Sequence, residues 1–184
     1  MDPLTPTQRH NNMAAIHGKD TKPEMLVRHF LWHRGFRYRL NHPRLPGKPD
    51  IVLRKYRTCI FVNGCFWHGH NVNLPQVFDP TSIIENSDCC KIPKTNTEFW
   101  VKKIVRNQKR DRKVQQQLTL MGWHTIIIWE CQLKPKQREL TLNLLVYTLD
   151  SLFLRDHSPK NYQTPQESTP MAAEDSSTYD TTDI

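Results

Sequence analysis

This chain of 184 residues contains no long apolar run. Nothing in it approaches the ~20 consecutive apolar residues that a membrane-spanning helix requires, so no membrane partner is expected. Met1–Asp20 also lacks the apolar segment of a secretory signal. An even number of cysteines is missing too. The 5 present are Cys59, Cys65, Cys89, Cys90 and Cys131. That count points to a soluble cytosolic protein whose thiols are reduced, buried or metal-bound.

Basic residues are nearly absent from the C-terminal end. From Asp156 onward, Lys160 stands alone against Asp156, Glu167, Glu174, Asp175, Asp180 and Asp183. Without that tail, 25 Lys and Arg face 12 Asp and Glu, a balance of +13 against +8 for the whole chain. So basic a body implies a polyanionic partner, most simply DNA or RNA. A well-solvated basic surface would give the same balance.

The chain divides into three parts. Residues 1–20 read as a polar arm, loose alone and ordered on a partner. Residues 21–155 read as one domain, and residues 156–184 as a disordered acidic tail rich in Ser and Thr. Thr21-Lys22-Pro23-Glu24 carries the N-cap, first-turn proline and capping-box glutamate of a helix start. Leu26, Val27, Phe30 and Leu31 form that helix's buried face, and Gly35 ends it. Strands are expected at 36–40, 50–53 and 58–62, the last two forming an antiparallel hairpin. Residues 71–88 form a long polar insertion. Thr95-Asn96-Thr97-Glu98 is a second capping-box pattern, opening a long helix with Phe99, Val101, Ile104 and Val105 near helical spacing. A strand at 123–129 and a helix at about 137–154 complete an α-β-β-β-α-β-α order. The last strand should join in parallel through a crossover, giving an α/β fold with a mixed sheet flanked by helices.

Three groups of residues could carry chemistry. Asp50 follows Pro49 at the start of a strand, where a carboxylate can hold a hard divalent cation. Asp is also common at loop ends, and the capping box already accounts for Glu24. The run Val62-Asn63-Gly64-Cys65-Phe66-Trp67-His68-Gly69-His70 packs possible ligands, an acid–base group and two large rings into one loop. Cys65 and His70, with Cys89-Cys90 and Cys131, offer the soft donors of a Cys₃His zinc site, although the spacing matches no standard zinc finger. Cysteines also serve as small buried hydrophobes, a role that suits Cys59 in mid-strand. His68 could act as general acid or base, oriented by Asp111, or simply as a structural hydrogen-bonder. Phe66, Trp67 and Trp100 could stack on bases or pack a core. The helix bearing Trp100 is basic, as a groove-binding helix or a solvated face would be.

Four blocks then fall into one pattern: Leu45-Pro46-Gly47-Lys48-Pro49-Asp50; Phe61 to His70; Pro93-Lys94-Thr95-Asn96-Thr97-Glu98-Phe99-Trp100; and Ile128-Trp129-Glu130-Cys131. In this order, over about residues 8–135, they closely resemble the very-short-patch repair (Vsr) DNA mismatch endonucleases. The resemblance implies a PD-(D/E)XK nuclease-like fold with a structural zinc. It implies Mg²⁺-dependent nicking of double-stranded DNA 5′ of the thymine in T·G mismatches left by deamination of 5-methylcytosine. Asp50 would bind Mg²⁺ with the Val62 backbone carbonyl, and Glu24 would reach the metal through water. His68 would be the catalytic histidine, paired with Asp111. Phe66, Trp67 and Trp100 would intercalate. Met13, Lys103 and Asn107 would lie at the mismatch. Cys65, His70, one of Cys89 and Cys90, and Cys131 would bind zinc, with Cys89 chosen. The implied setting is the bacterial cytoplasm, beside the nucleoid. There a monomer would act with a cytosine-5 DNA methyltransferase, a repair polymerase and a ligase.

The sequence departs from the family pattern in three places. Asn63 stands where a second histidine is expected. The 71–88 insertion separates His70 from the third zinc ligand. The (D/E)-X-K signature is absent, with Phe61-Val62-Asn63 at that strand end. Two other readings remain open: a restriction-type nuclease acting on matched DNA, and a non-enzymatic zinc-dependent DNA-binding module.

Overall fold

The computed structural model describes residues 18–76 and 84–158, together with Thr5, Thr7, Gln8, Asn11 and Asp79. Helix α1 (Lys22–His33) starts where its cap predicts: the Thr21 side chain accepts the Glu24 N–H at 3.4 Å. Val27 and Leu31 are fully buried, with Leu26 and Phe30 packed partly against them. Gly35 ends the turn at φ 85°, a left-handed conformation that costs glycine little.

Four strands follow in the order β1-β2-β3-β4. They are β1 (Arg39–Leu40), β2 (Ile51–Leu53), β3 (Thr58–Asn63) and β4 (His124–Trp129). The expected hairpin is present, with Ile51 opposite Ile60 and Val52 opposite Cys59 in antiparallel register. A short 3₁₀ turn, Arg54–Tyr56, and left-handed Arg57 join its arms. β4 pairs parallel to β3, from Thr58 opposite His124 to Asn63 opposite Trp129. The crossover is supplied by α3 (Thr97–Leu120), preceded by the single turn α2 (Cys65–His68). Helix α4 (Pro135–His157) closes the fold.

Alternation along the strands builds two faces. Ile51, Leu53 and Ile60 pack with Val27 and Leu31 of α1 and with Leu142, Leu145 and Leu149 of α4. Val52, Cys59 and Phe61 pack with Val114 and Leu118 of α3. A third cluster joins Cys65, Val72, Leu74, Cys90 and Ile92 to Val101, Ile104 and Val105 of α3.

Several expectations need correction. Strand β1 is shorter than 36–40, because side chains rather than a ladder hold its first residues. Phe36 packs on Tyr56 at 5.2 Å, and the Arg37 guanidinium lies 4.2 Å from the Trp32 ring centroid. The Thr95–Glu98 capping box does not form: Asn96 is the cap residue at φ 54°, Glu98 pairs with Lys102, and Thr97 Oγ1 donates to the Pro93 and Lys94 carbonyls. Phe99, read at helical spacing with Val101, Ile104 and Val105, is 56% exposed while those three are buried. The 71–88 insertion is not uniformly polar. A bridge between Asn73 and Glu85 closes its base, and Val72 and Leu74 are buried. Helix α4 continues through Asp156, whose carboxylate meets His124 Nε2 at 2.7 Å. The rest of the expected acidic tail, residues 159–184, and most of the N-terminal arm, Met13 included, lie outside the described residues.

Candidate active site and metal cluster

A cleft of about 870 Å³ opens at the end of the sheet, lined by Glu24, Asp50, Val62, Trp67, His68 and Asp111 among others. Residues from distant parts of the sequence thus share one wall. The loop before β2 reaches it through Gly47, at φ 71°, where a Cβ would lie 2.5 Å from Val114 Cγ1. That contact leaves glycine as the residue that lets the loop lie against α3.

Asp50 accepts the backbone N–H of Val62 through Oδ2 at 2.8 Å. Burial raises its carboxyl above the ordinary value. The Val62 hydrogen bond opposes that shift and the nearby Glu24 charge adds to it. A half-buried carboxylate with one backbone donor and an acidic neighbour is a group that a cation would relieve. Glu24 differs. Oε1 accepts Thr21 Oγ1 at 2.9 Å, and Oε2 accepts the Asp20 N–H at 3.1 Å and Arg28 Nη2 at 2.8 Å. Arg28 is 3% exposed and also pairs with Asp20. It was not among the residues singled out from sequence, although a Glu–Arg pair four apart on a helix is a readable signal.

His68 ends α2, and its Nδ1 meets Asp111 Oδ2 of α3 at 2.6 Å. This is the contact the sequence could only suggest. Burial works to raise the Asp111 carboxyl, but the His68 hydrogen bond and the Arg110 guanidinium outweigh it and hold the group below its ordinary value. Arg110 donates to Asp111 Oδ1 through Nη2 at 3.0 Å. The turn after His68 is set by Gly69 at φ 62°, where a Cβ would meet Ile104 Cγ2 at 2.5 Å.

Phe66, Trp67 and Trp100 form one ring cluster beside the cleft. Phe66 lies 5.1 Å from Trp67 and 5.0 Å from Trp100, centroid to centroid. Phe99 extends it edge-on at 5.2 Å from Trp100. The Lys103 ammonium stands 5.2 Å from both tryptophan rings. Asn107 Nδ2 donates to the Trp67 carbonyl at 2.8 Å, which ties the loop to α3. Lys103 and Asn107 are therefore gathered with the aromatics.

Cys65, His70, Cys89 and Cys131 bring one ligand atom each to within 4.8 Å of one another. His70 Nδ1 lies 3.2 Å from Cys89 Sγ, 3.4 Å from Cys131 Sγ and 3.8 Å from Cys65 Sγ. Bonds of 2.0–2.3 Å to a tetrahedral centre would set these edges at roughly 3.5–3.8 Å. The four side chains can hold a metal ion of that geometry. Burial pushes the Cys65 thiol up to about 12, so a cation is needed to draw out its thiolate. Of the adjacent pair, Cys89 joins the cluster, while Cys90 is buried with Sγ 3.9 Å from the Phe66 carbonyl. His70 stacks on Trp129 at 4.1 Å, which fixes its ring plane. Cys59, fully buried in β3, is core.

Known proteins resemble this chain over most of its length. The family model described as DNA mismatch endonuclease Vsr matches residues 1–74. The type II nicking enzyme V.NmeAIP of Neisseria meningitidis is 47% identical over 135 residues, covering 73% of this chain and 86% of that protein. The DNA mismatch endonuclease Vsr of Escherichia coli is 38% identical over 130 residues, covering 71% and 74%. V.HpaIIP of Haemophilus parainfluenzae, also a type II nicking enzyme, is 35% identical over 150 residues, covering 80% and 96%. The family model and the relatives together define a DNA-cleaving hydrolase of the endonuclease class. Within that class, the chain belongs to the Vsr family of DNA mismatch endonucleases.

Proposed function

We propose that this endonuclease nicks double-stranded DNA on the 5′ side of the thymine in T·G mismatches, the lesions left when 5-methylcytosine deaminates. One observation carries the reading: a single cleft combines Asp50, Glu24 and the His68–Asp111 pair, with the ring cluster of Phe66, Trp67 and Trp100 at its side. A hydrolytic centre beside a wedge of aromatics suits a substrate that must be unstacked locally. A T·G wobble unstacks at lower cost than a matched pair, and that difference supplies selectivity.

Asp50 and the Val62 carbonyl would hold Mg²⁺. Glu24, with both oxygens already accepting donors, would act through water rather than by direct ligation. When bound, Mg²⁺ supplies positive charge at the scissile phosphate and makes water more acidic. The chain supplies the rest. Asp111 accepts the Nδ1–H of His68 and so leaves Nε2 as the basic nitrogen, able to take the proton of the attacking water. The phenyl and indole rings replace lost base stacking, and Lys103 offsets phosphate charge. Met13 would add a contact from the arm. Zinc in the Cys65–His70–Cys89–Cys131 cluster would staple the His68 loop to β4 and to the end of the insertion.

In the cell, the enzyme works as a monomer in the bacterial cytoplasm, beside a cytosine-5 DNA methyltransferase and ahead of a repair polymerase and ligase. No described helix is long and apolar enough to cross a membrane. The deciding experiment compares a T·G duplex with its matched counterpart under Mg²⁺. Nicking of the T·G strand alone, lost in Asp50→Ala, is expected. Equal cutting of both duplexes would make the protein a restriction-type nuclease. Binding without any Mg²⁺-dependent product would make it a DNA-binding module.

A further inference from the structure

Asn63, the last residue of β3, is 7% exposed and lies on the cleft wall. Its side chain hydrogen-bonds to no described residue. Its amide atoms are not among the fully buried unpaired polar atoms of the described residues, so they open into the cleft, where water or a substrate meets them. Its place in the strand explains which way it serves. Cys59 and Phe61 pack toward Val114 and Leu118 of α3. By strand alternation Asn63 shares that face, turned toward the helix that carries Asp111 and Arg110. Along the chain it lies between Val62, which donates to Asp50, and α2, which ends in His68. The amide therefore lines one cleft with the Asp50 carboxylate and the His68 imidazole, with its valences free for whatever enters.

The entering group is a phosphodiester flanked by carboxylates, so the useful valence is the donor. We propose that Asn63 is a further catalytic residue: its Nδ2–H donates to a non-bridging oxygen of the scissile phosphate and stabilises the charge that grows there. A fixed neutral donor in a water-poor site is effective because it needs no reorganisation during the reaction. This inference rests on the reading of the cleft as the nicking centre.

The test is Asn63→Leu, which keeps the side chain's shape and removes its polar atoms, measured in the full-length zinc-loaded protein. Single-turnover nicking of a T·G duplex should fall by about 10²-fold. Meanwhile the Tm should change little, because no protein group loses a hydrogen-bond partner. A second readout uses a duplex with a phosphorothioate at the scissile position, Rp and Sp separately. The wild-type enzyme should be slowed by one diastereomer more than Asn63→Leu is, since the variant has no donor left to lose. Nicking within about threefold of wild type, an unchanged sulfur effect, or an activity loss that merely tracks a lower Tm would each overturn the proposal. A wild-type protein that nicks no duplex would instead overturn the reading of the cleft.

Discussion

Replacing Asp111 with asparagine tests how the active site is wired. Asp111 Oδ2 lies 2.6 Å from His68 Nδ1, and the two side chains are 20% and 22% exposed. A charge-assisted hydrogen bond in that setting contributes about 1.5–3 kcal/mol. The substituted carboxamide would fill the same space and could still accept from Nδ1–H, but it carries no charge to support an imidazolium in the transition state. If the whole contribution is expressed there, nicking slows by about 10- to 150-fold. Single-turnover rates on a T·G duplex between about pH 5.5 and 8.5, the range in which a histidine titrates, measure it. Asp111 is held below the ordinary carboxylate value, so it stays ionised across that window. Its stabilising effect on the fold is present above the unfolded-state value and lost only as pH falls through the lower folded value. The variant's deficit should therefore not come from titration of Asp111 within the window. Wild-type rates in Asp111→Asn would refute the wiring, and His68 would then act without an orienting partner.

Three further outcomes are expected. Asp50→Asn should cut nicking by about 10²–10³-fold or more, yet raise the Tm at neutral pH without divalent ions. Burial lifts the Asp50 carboxyl above its unfolded value, so the stability it contributes when protonated is lost as pH rises through the folded value; a lower Tm would contradict this. Metal analysis of the purified protein should find about one zinc per chain, lost in Cys89→Ser and kept in Cys90→Ser; the opposite pattern would move the ligand to Cys90. Gly69→Ala should destabilise the fold by about 2–4 kcal/mol, combining left-handed strain with a 2.5 Å clash against Ile104, and denaturant unfolding reads the loss directly. A change under about 0.5 kcal/mol, the scale of neutral surface substitutions, would mean the turn relaxes.

Much of this molecule could be read from residue order. The Thr21 cap and the apolar periodicities marked α1, α3 and α4, and residues 58–62 read as one arm of a hairpin. Such signals are local: a hydrogen-bonded turn or an alternating face depends on residues a few positions apart. The motif blocks likewise pointed to Asp50, His68 and the cysteines, because these side chains carry chemistry whatever surrounds them. Local signals also misled. The Thr95–Glu98 pattern is a genuine capping box by composition, yet Glu98 pairs with Lys102 instead, and Phe99 faces outward from a helix whose next turn is buried.

What sequence could not decide are relations between distant segments. Cys89 and Cys90 are chemically identical neighbours. Which one joins the His70 cluster depends on how the closed base of the insertion meets His70, 19 positions away from Cys89. The His68–Asp111 contact spans 43 positions and exists because α3 packs across the sheet. Arg28 was not singled out from the sequence, and the fold makes it the buried partner of Glu24. Asn63 looked like a missing histidine, and only the packed fold showed it as an amide on the cleft wall. The residue types and their local structure are fixed by short-range sterics and periodicity. The site is fixed by long-range packing, because burial and neighbouring charge, not side-chain identity, decide which carboxylate is saturated, which thiol joins the cluster and which amide lines the cleft.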